Sequence, residues 1–176
     1  RPPGCAIRRC PGQGTSAGRM TALEIALARV ASHVRTAGFG FALVGGLAIS
    51  VRAEPRMTRD SDLAVTVADD SEAERLIQTL SGGGYRVTAL VEQEFTGRLA
   101  TVRLVNDADG GLVSDLLFAS SGIEPEIVSG AEELDVTPGL RLPVASVGHL
   151  IATKLLARDD RLRPITGPTY GVAIYQ

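Results

Sequence analysis

The chain reads as an α+β domain, equivalently a mixed-sheet α/β domain, with a central mixed β-sheet flanked by helices. Three observations predict this. Segments of helical and strand periodicity follow one another in the order helix, strand, helix, strand, helix, strands, helix. Two of the later strand candidates flank Asn106-Asp107-Ala108-Asp109-Gly110-Gly111, a strong hairpin-turn signal. Finally, 176 residues at 44% hydrophobic are enough to build a core.

The elements are justified in order. Leu23, Leu27, Val30 and Val34 fall on one face of a helix that begins near Thr21, and Gly38 stops it. Residues 41–44 are a short apolar strand. Gly45-Gly46 then lead into a short helix over 47–51, followed by a loop over 53–59 that contains Pro55. Residues 60–67 alternate, with Ser61, Leu63, Val65 and Val67 on one face and Asp60 and Asp62 on the other. Asp70 opens the next helix. Ser71 and Glu74 have capping-box spacing, Ala73, Leu76, Ile77 and Leu80 form the buried stripe, and Gly82-Gly83-Gly84 end it. Strands are expected over 85–91, 98–105 and 112–118. Residues 122–140 carry little pattern. A short strand over 141–144 precedes a helix capped by Ser146 and running to about Arg158.

Composition narrows the function classes. Twenty acidic and 18 basic residues leave a formal charge of −2, which argues against a protein that coats nucleic acid. Residues 1–19 hold four Arg and no acid, are rich in Pro and Gly, and read as a disordered leader. Without them the remainder carries −6. Residues 20–158 read as the folded domain and 159–176 as an irregular, truncated tail. The two cysteines lie in the first ten residues, so no disulfide framework or zinc cluster is built inside the domain. Aromatic residues make up 4% and Trp is absent, which leaves few stacking platforms for bases. The longest uncharged run, residues 38–51, is too short and too glycine-rich to span a bilayer. No signal peptide is read, so a soluble cytoplasmic protein is expected.

Four features carry chemistry. Gly45-Gly46, between a strand and a helix, can let a phosphate approach backbone N–H groups, or can form only a tight turn. Asp60 and Asp62 share one strand face; they suit Mg²⁺, a hard cation that takes oxygen ligands, or mark a solvated strand end. Asp115 interrupts an apolar strand and is either a third metal-directed carboxylate or a bulge or edge residue. Lys154 lies near the centre of the stripe formed by Val147, Leu150, Ile151 and Leu155, and it is the single Lys beside 17 Arg. A compact ammonium suits a tight anionic site, although a snorkelling stem or genome composition gives the same pattern. Arg52, Arg56 and Arg59, with Thr58, stand ready to bind triphosphate or to balance Glu54, Asp60 and Asp62. His33 and His149 fall on polar helix faces and are given no role.

The sequence Phe41-Ala42-Leu43-Val44-Gly45-Gly46-Leu47-Ala48, followed by Pro55-Arg56-Met57-Thr58-Arg59-Asp60-Ser61-Asp62-Leu63, resembles the minimal nucleotidyltransferase domain of the DNA polymerase β superfamily. It is most similar to AbiEii/AbiGii-type toxin nucleotidyltransferases. A later strand Asp, matched by Asp115, and a Lys-bearing helix, matched by residues 150–155, complete the likeness over about residues 22–160. Relatives of this type continue into an Asp-containing helical segment. Arg158-Asp159-Asp160-Arg161 begins one, but GPTYGVAIYQ does not continue it.

The resemblance implies a nucleotidyltransferase-like fold and transfer of NMP from an NTP to an RNA end, such as the tRNA 3′ end, or to a protein hydroxyl. It implies two Mg²⁺ ions held by Asp60, Asp62 and Asp115, with Gly45 and Gly46 cradling phosphates. Lys154 or Arg56 would neutralise charge beside Thr58. An antitoxin partner is also implied. The alternative is an inactive domain of the same fold that binds nucleotide or a partner.

Overall fold

The computed structural model describes residues 20–53, 58–156 and 162–164. Helix α1 (Ala22–Thr36) opens on a capping box in which Thr21 accepts from the Glu24 N–H and Glu24 accepts from the Thr21 N–H. Strand β1 (Phe41–Val44) leads directly into helix α2 (Gly45–Arg52), so the two glycines belong to the helix itself. Strand β2 (Asp60–Val65), helix α3 (Asp70–Gly82) and strand β3 (Tyr85–Gln93) follow. Strands β4 (Leu99–Asn106) and β5 (Val113–Leu117) flank a single 3₁₀ turn over Asp107–Asp109, closed by left-handed Gly110. Helix α4 (Glu124–Ser129), strands β6 (Glu132–Thr137) and β7 (Leu140–Val144) and helix α5 (Val147–Leu156) come next. A short strand β8 (Leu162–Pro164) comes last.

The eight strands form one mixed sheet in the order β6-β7-β1-β2-β5-β4-β3-β8. Strand β2 runs antiparallel to β1 and parallel to β5, while β7 runs parallel to β1. Strands β4 and β5 form the expected hairpin. The stripes Leu27, Val30 and Val34 of α1 and Ala73, Leu76, Ile77 and Leu80 of α3 are buried together with Leu63 and Val65 of β2. Ala64, on the other face of β2, is equally inaccessible. The strands at the centre are thus covered on both faces, which explains the continuous apolar run of β1. Each fully buried Leu or Ile contributes roughly 1.5–3 kcal/mol.

Several expectations are corrected. Helix α3 is capped by Asp69, which accepts from the Glu72 N–H, while Glu72 reaches back to the Ala68 N–H. The cap therefore lies two residues before the Ser71/Glu74 pair. Asp70 is instead held by Arg98 and the Leu99 N–H. The weakly patterned stretch 122–140 holds α4 and β6. Their polar surfaces hide the periodicity, since β6 is an edge strand with Glu132, Glu133 and Asp135 exposed. His33 and His149 are partly buried rather than on open polar faces. His33 stands edge-on to Tyr85, and His149 lies against Gly130. On α5 only Leu150 of the apolar stripe is buried; Val147, Ile151 and Leu155 are more than half exposed. Strand β8 falls within the tail expected to be irregular. The leader 1–19, Arg56, the helix end at Arg158 and the segment GPTYGVAIYQ lie outside the described residues.

Candidate active site

The site is built where β2, β5 and β4 lie side by side. In the parallel register Asp62 pairs with Asp115, and in the antiparallel register Asp115 pairs with Arg103. Two carboxylates and a guanidinium therefore form a row across three strands, with Asp60 two residues back on the same face as Asp62. The register is fastened from below. Ser61 and Ser114, buried on the opposite face, share a hydrogen bond of 2.8 Å.

Arg103 grips Asp115 with two bonds, Nε to Oδ1 at 2.9 Å and Nη2 to Oδ2 at 2.7 Å. This fork is the strong form of a charge-assisted contact, and it accounts for an Asp inside an apolar strand. The Asp115 interaction in turn pushes the Arg103 guanidinium upward. Asp62 is pushed up to about 6, first by burial and then by the charges of Asp115 and Asp60. The Gly46 backbone N–H and the charge of Arg103 both counter this rise.

The glycine pair has a geometric cause in this state. A Cβ at Gly45, where φ is +64°, would stand 1.8 Å from Asp62 Oδ2. One at Gly46 would stand 3.0 Å from Thr58 Oγ1. The pair is folded around the Asp62 carboxylate and Thr58. Thr58 donates weakly to the Asp60 carbonyl, at 3.4 Å.

A cleft of about 210 Å³ lies on this face, lined by Gly45, Asp62, Leu117, Ser121, Glu124 and Lys154 among others. The structure therefore brings Gly45, Asp62 and Lys154 to one cleft, with Lys154 exposed at its wall. Such a volume holds part of a nucleotide, since drug-sized ligands occupy roughly 300–1,000 Å³. Arg52 is not part of the site. Its Nε and Nη2 donate to the carbonyls of Ala145 and Val144, and its Nη1 pairs with Glu132 at 2.7 Å. It ties α2 to the end of β7. Arg59 is exposed beside Asp60.

The donor set suits Mg²⁺ in chemistry, because three carboxylates share one face and their mutual repulsion already raises Asp62. In this state they are not gathered as a ready metal cluster; among the described residues no three metal-ligating side chains are so placed. Arg103 occupies both Asp115 oxygens. Asp60 and Asp62 fit directly, and Asp115 fits once it has left Arg103.

Sequence reasoning missed Arg103 and Glu124. Arg103 and Asp115 each lie six residues from the hairpin centre at Asp109, a spacing that could have paired them. Glu124 gave no such signal, because its burial depends on α4 packing against β2.

No protein-family model and no curated protein matches the chain. Among solved structures it is similar to TM1012 of Thermotoga maritima, provisionally assigned as a nucleotidyltransferase. The two share 15% identity over 77% of this chain and 84% of that one, with a TM-score of 0.53. It also matches LnuA, a lincosamide antibiotic adenylyltransferase solved with lincomycin bound, at 14% identity, 77% and 94% coverage and a TM-score of 0.48. A nucleotidyltransferase-like antigenic protein of Paracoccidioides brasiliensis matches at 16% identity, 71% and 61% coverage and 0.45. At these identities the likeness is one of fold, and the T. maritima structure carries it. Among the described residues no helix is long and apolar enough to cross a membrane. The mixed sheet flanked by helices is the nucleotidyltransferase fold.

Proposed function

We propose that the protein is a Mg²⁺-dependent nucleotidyltransferase that moves NMP from an NTP to a hydroxyl, on an RNA 3′ end such as that of tRNA or on a protein. The reading is carried by the row Asp62, Asp115, Arg103, with Lys154 lining the same cleft as Asp62. Asp60 and Asp62 would hold the metal, joined by Asp115. When bound there, the metal would supply positive charge that neutralises the developing charge on the reacting phosphate. The acceptor oxygen attacks the α-phosphorus while the bond to the β-phosphate breaks, and pyrophosphate leaves. Asp115, once it has left Arg103, takes the hydroxyl proton, and the freed Arg103 faces the phosphates as a cation. Lys154, from the α5 wall, or Arg56 neutralises the phosphates. Gly45 and Gly46 keep Asp62 in place. By resemblance to AbiEii/AbiGii-type proteins, the transfer serves as the toxin arm of a toxin–antitoxin pair.

The test is purified protein with Mg²⁺ and each labelled NTP, supplied with total tRNA or cell lysate. Label transfer that disappears in Asp60→Ala and Asp62→Asn supports the reading; undiminished transfer by Asp60→Ala sinks the mechanism.

One observation favours a second reading, a domain that binds nucleotide or an antitoxin-like partner without catalysis. The apolar face of Val147, Ile151 and Leu155 is open, beside Ile49 of α2. Metal-dependent NTP binding without release of pyrophosphate would favour it.

A further inference from the structure

Glu124 begins α4, is 1% exposed and lines the cleft that holds Asp62 and Lys154. Its two oxygens are treated differently. Oε1 accepts from the Ser121 N–H at 2.7 Å and from the Ser121 hydroxyl at 2.9 Å. Oε2 is equally buried and has no hydrogen-bond partner. A buried carboxylate oxygen without a donor is costly to keep, and folded proteins rarely keep one without a use. The local turn does not need it, since Oε1 alone holds Ser121. Ala64, Leu117 and Ile127 on the same lining offer no donor, and the donors of Ser120, Thr153 and Lys154 that also line it make no bond to Oε2.

We propose that Glu124 is a nucleoside-reading residue: its free Oε2 accepts a hydrogen bond from an N–H or O–H of the nucleoside part of the bound NTP. The assignment to the nucleoside follows from charge. A carboxylate with no cation beside it repels a triphosphate, so the phosphates lie toward Lys154 and the cation-binding carboxylates, and the uncharged end of the ligand meets Glu124 and the apolar lining. Side-chain adjustment of the kind common on binding is enough to admit the donor. This rests on the nucleotidyltransferase reading and adds to it the group that recognises the nucleoside.

The probe is binding of ATP, GTP, CTP and UTP, each with Mg²⁺, to wild type and Glu124→Gln by equilibrium dialysis, with circular dichroism and thermal melting of the empty proteins. Gln keeps the oxygen that holds Ser121 and replaces the free acceptor with a donor. The expected result is an affinity loss of about tenfold or more for at least one NTP, the size of one hydrogen bond to a charged group. The empty variant melts no lower than wild type. An equal loss on all four NTPs puts the contact on the ribose, and a loss that varies with the base puts it on the base edge; either supports the proposal. Unchanged affinity of Glu124→Gln for every NTP overturns it while leaving nucleotidyl transfer standing. A variant that unfolds when empty assigns the carboxylate to the fold and overturns it as well. Wild type that binds no NTP overturns both this inference and the function it rests on.

Discussion

At Gly45 two penalties coincide: a positive φ, and a Cβ that would enter the Asp62 carboxylate. Gly45→Ala is expected to cost about 2–3 kcal/mol and to displace Asp62, measured as a lowered denaturation midpoint and lost Mg²⁺ binding. Gly110, at φ +69° with open space around it, provides the control. Its Ala variant bears only the backbone cost, about 1–2 kcal/mol. Asp62 also makes stability depend on pH. Its carboxyl titrates near 6 in the folded protein, against an ordinary value of 3.8. Between these values the folded state holds the extra proton, so the stabilisation is complete below about 4 and is lost as pH rises through about 6. Asp62→Asn removes this slope. Denaturant titrations from pH 4 to 8 should show the variant gaining on wild type by on the order of 2–3 kcal/mol above pH 7. A constant difference between the two across that range contradicts the shift.

Among the elements, α3 shows how several nearby cap signals are sorted. Three acids and a Ser stand within Asp69–Glu72, and their order alone does not say which one caps. Packing decides, because Asp70 is drawn toward Arg98 and toward Leu99 at the start of β4, leaving Asp69 at the cap. Asp69→Ala should therefore lower stability by about 1 kcal/mol, while Ser71→Ala changes it by less than about 0.5 kcal/mol, both read from urea midpoints. Helix α5 offers a sharper contrast. Leu150 is buried, so Leu150→Ala should cost about 2–5 kcal/mol. Ile151 is 56% exposed, and Ile151→Ser should fall within about 0.5 kcal/mol of wild type. Equal costs at both positions would mean that the open stripe is covered in solution.

For the whole molecule, the proposed function makes ligand binding and stability one measurement. A ligand that binds only the folded state stabilises it by about 2.7 kcal/mol at a hundred times its Kd. The melting temperature should rise with NTP and Mg²⁺ together and fall back on adding a chelator. No rise with any of the four NTPs contradicts the proposal. The acidity of the domain takes on a place at this scale too. Part of the −6 carried outside the leader is the face of Asp60, Asp62 and Asp115, where the negative charge already raises Asp62.

The local elements were legible in the sequence because their causes are local. The stripes of α1 and α3, the strand–Gly-Gly–helix turn, the alternation of β2 and the hairpin of β4 and β5 follow from spacing and turn chemistry within a few residues. The candidate carboxylates were legible for the same reason, since an Asp in an apolar strand stands out. Which groups meet was decided by tertiary structure alone. Parallel pairing of β2 with β5 sets Asp62 beside Asp115 across 53 residues of chain, and the ladder of β4 and β5 brings Arg103 to Asp115. The same long-range packing removed Arg52 to the end of β7, buried Glu124 in the cleft and turned the glycine pair toward Asp62. A sequence pattern records what each residue prefers. Partners distant in the chain are selected by strand register and by the cost of leaving a buried charge unpaired.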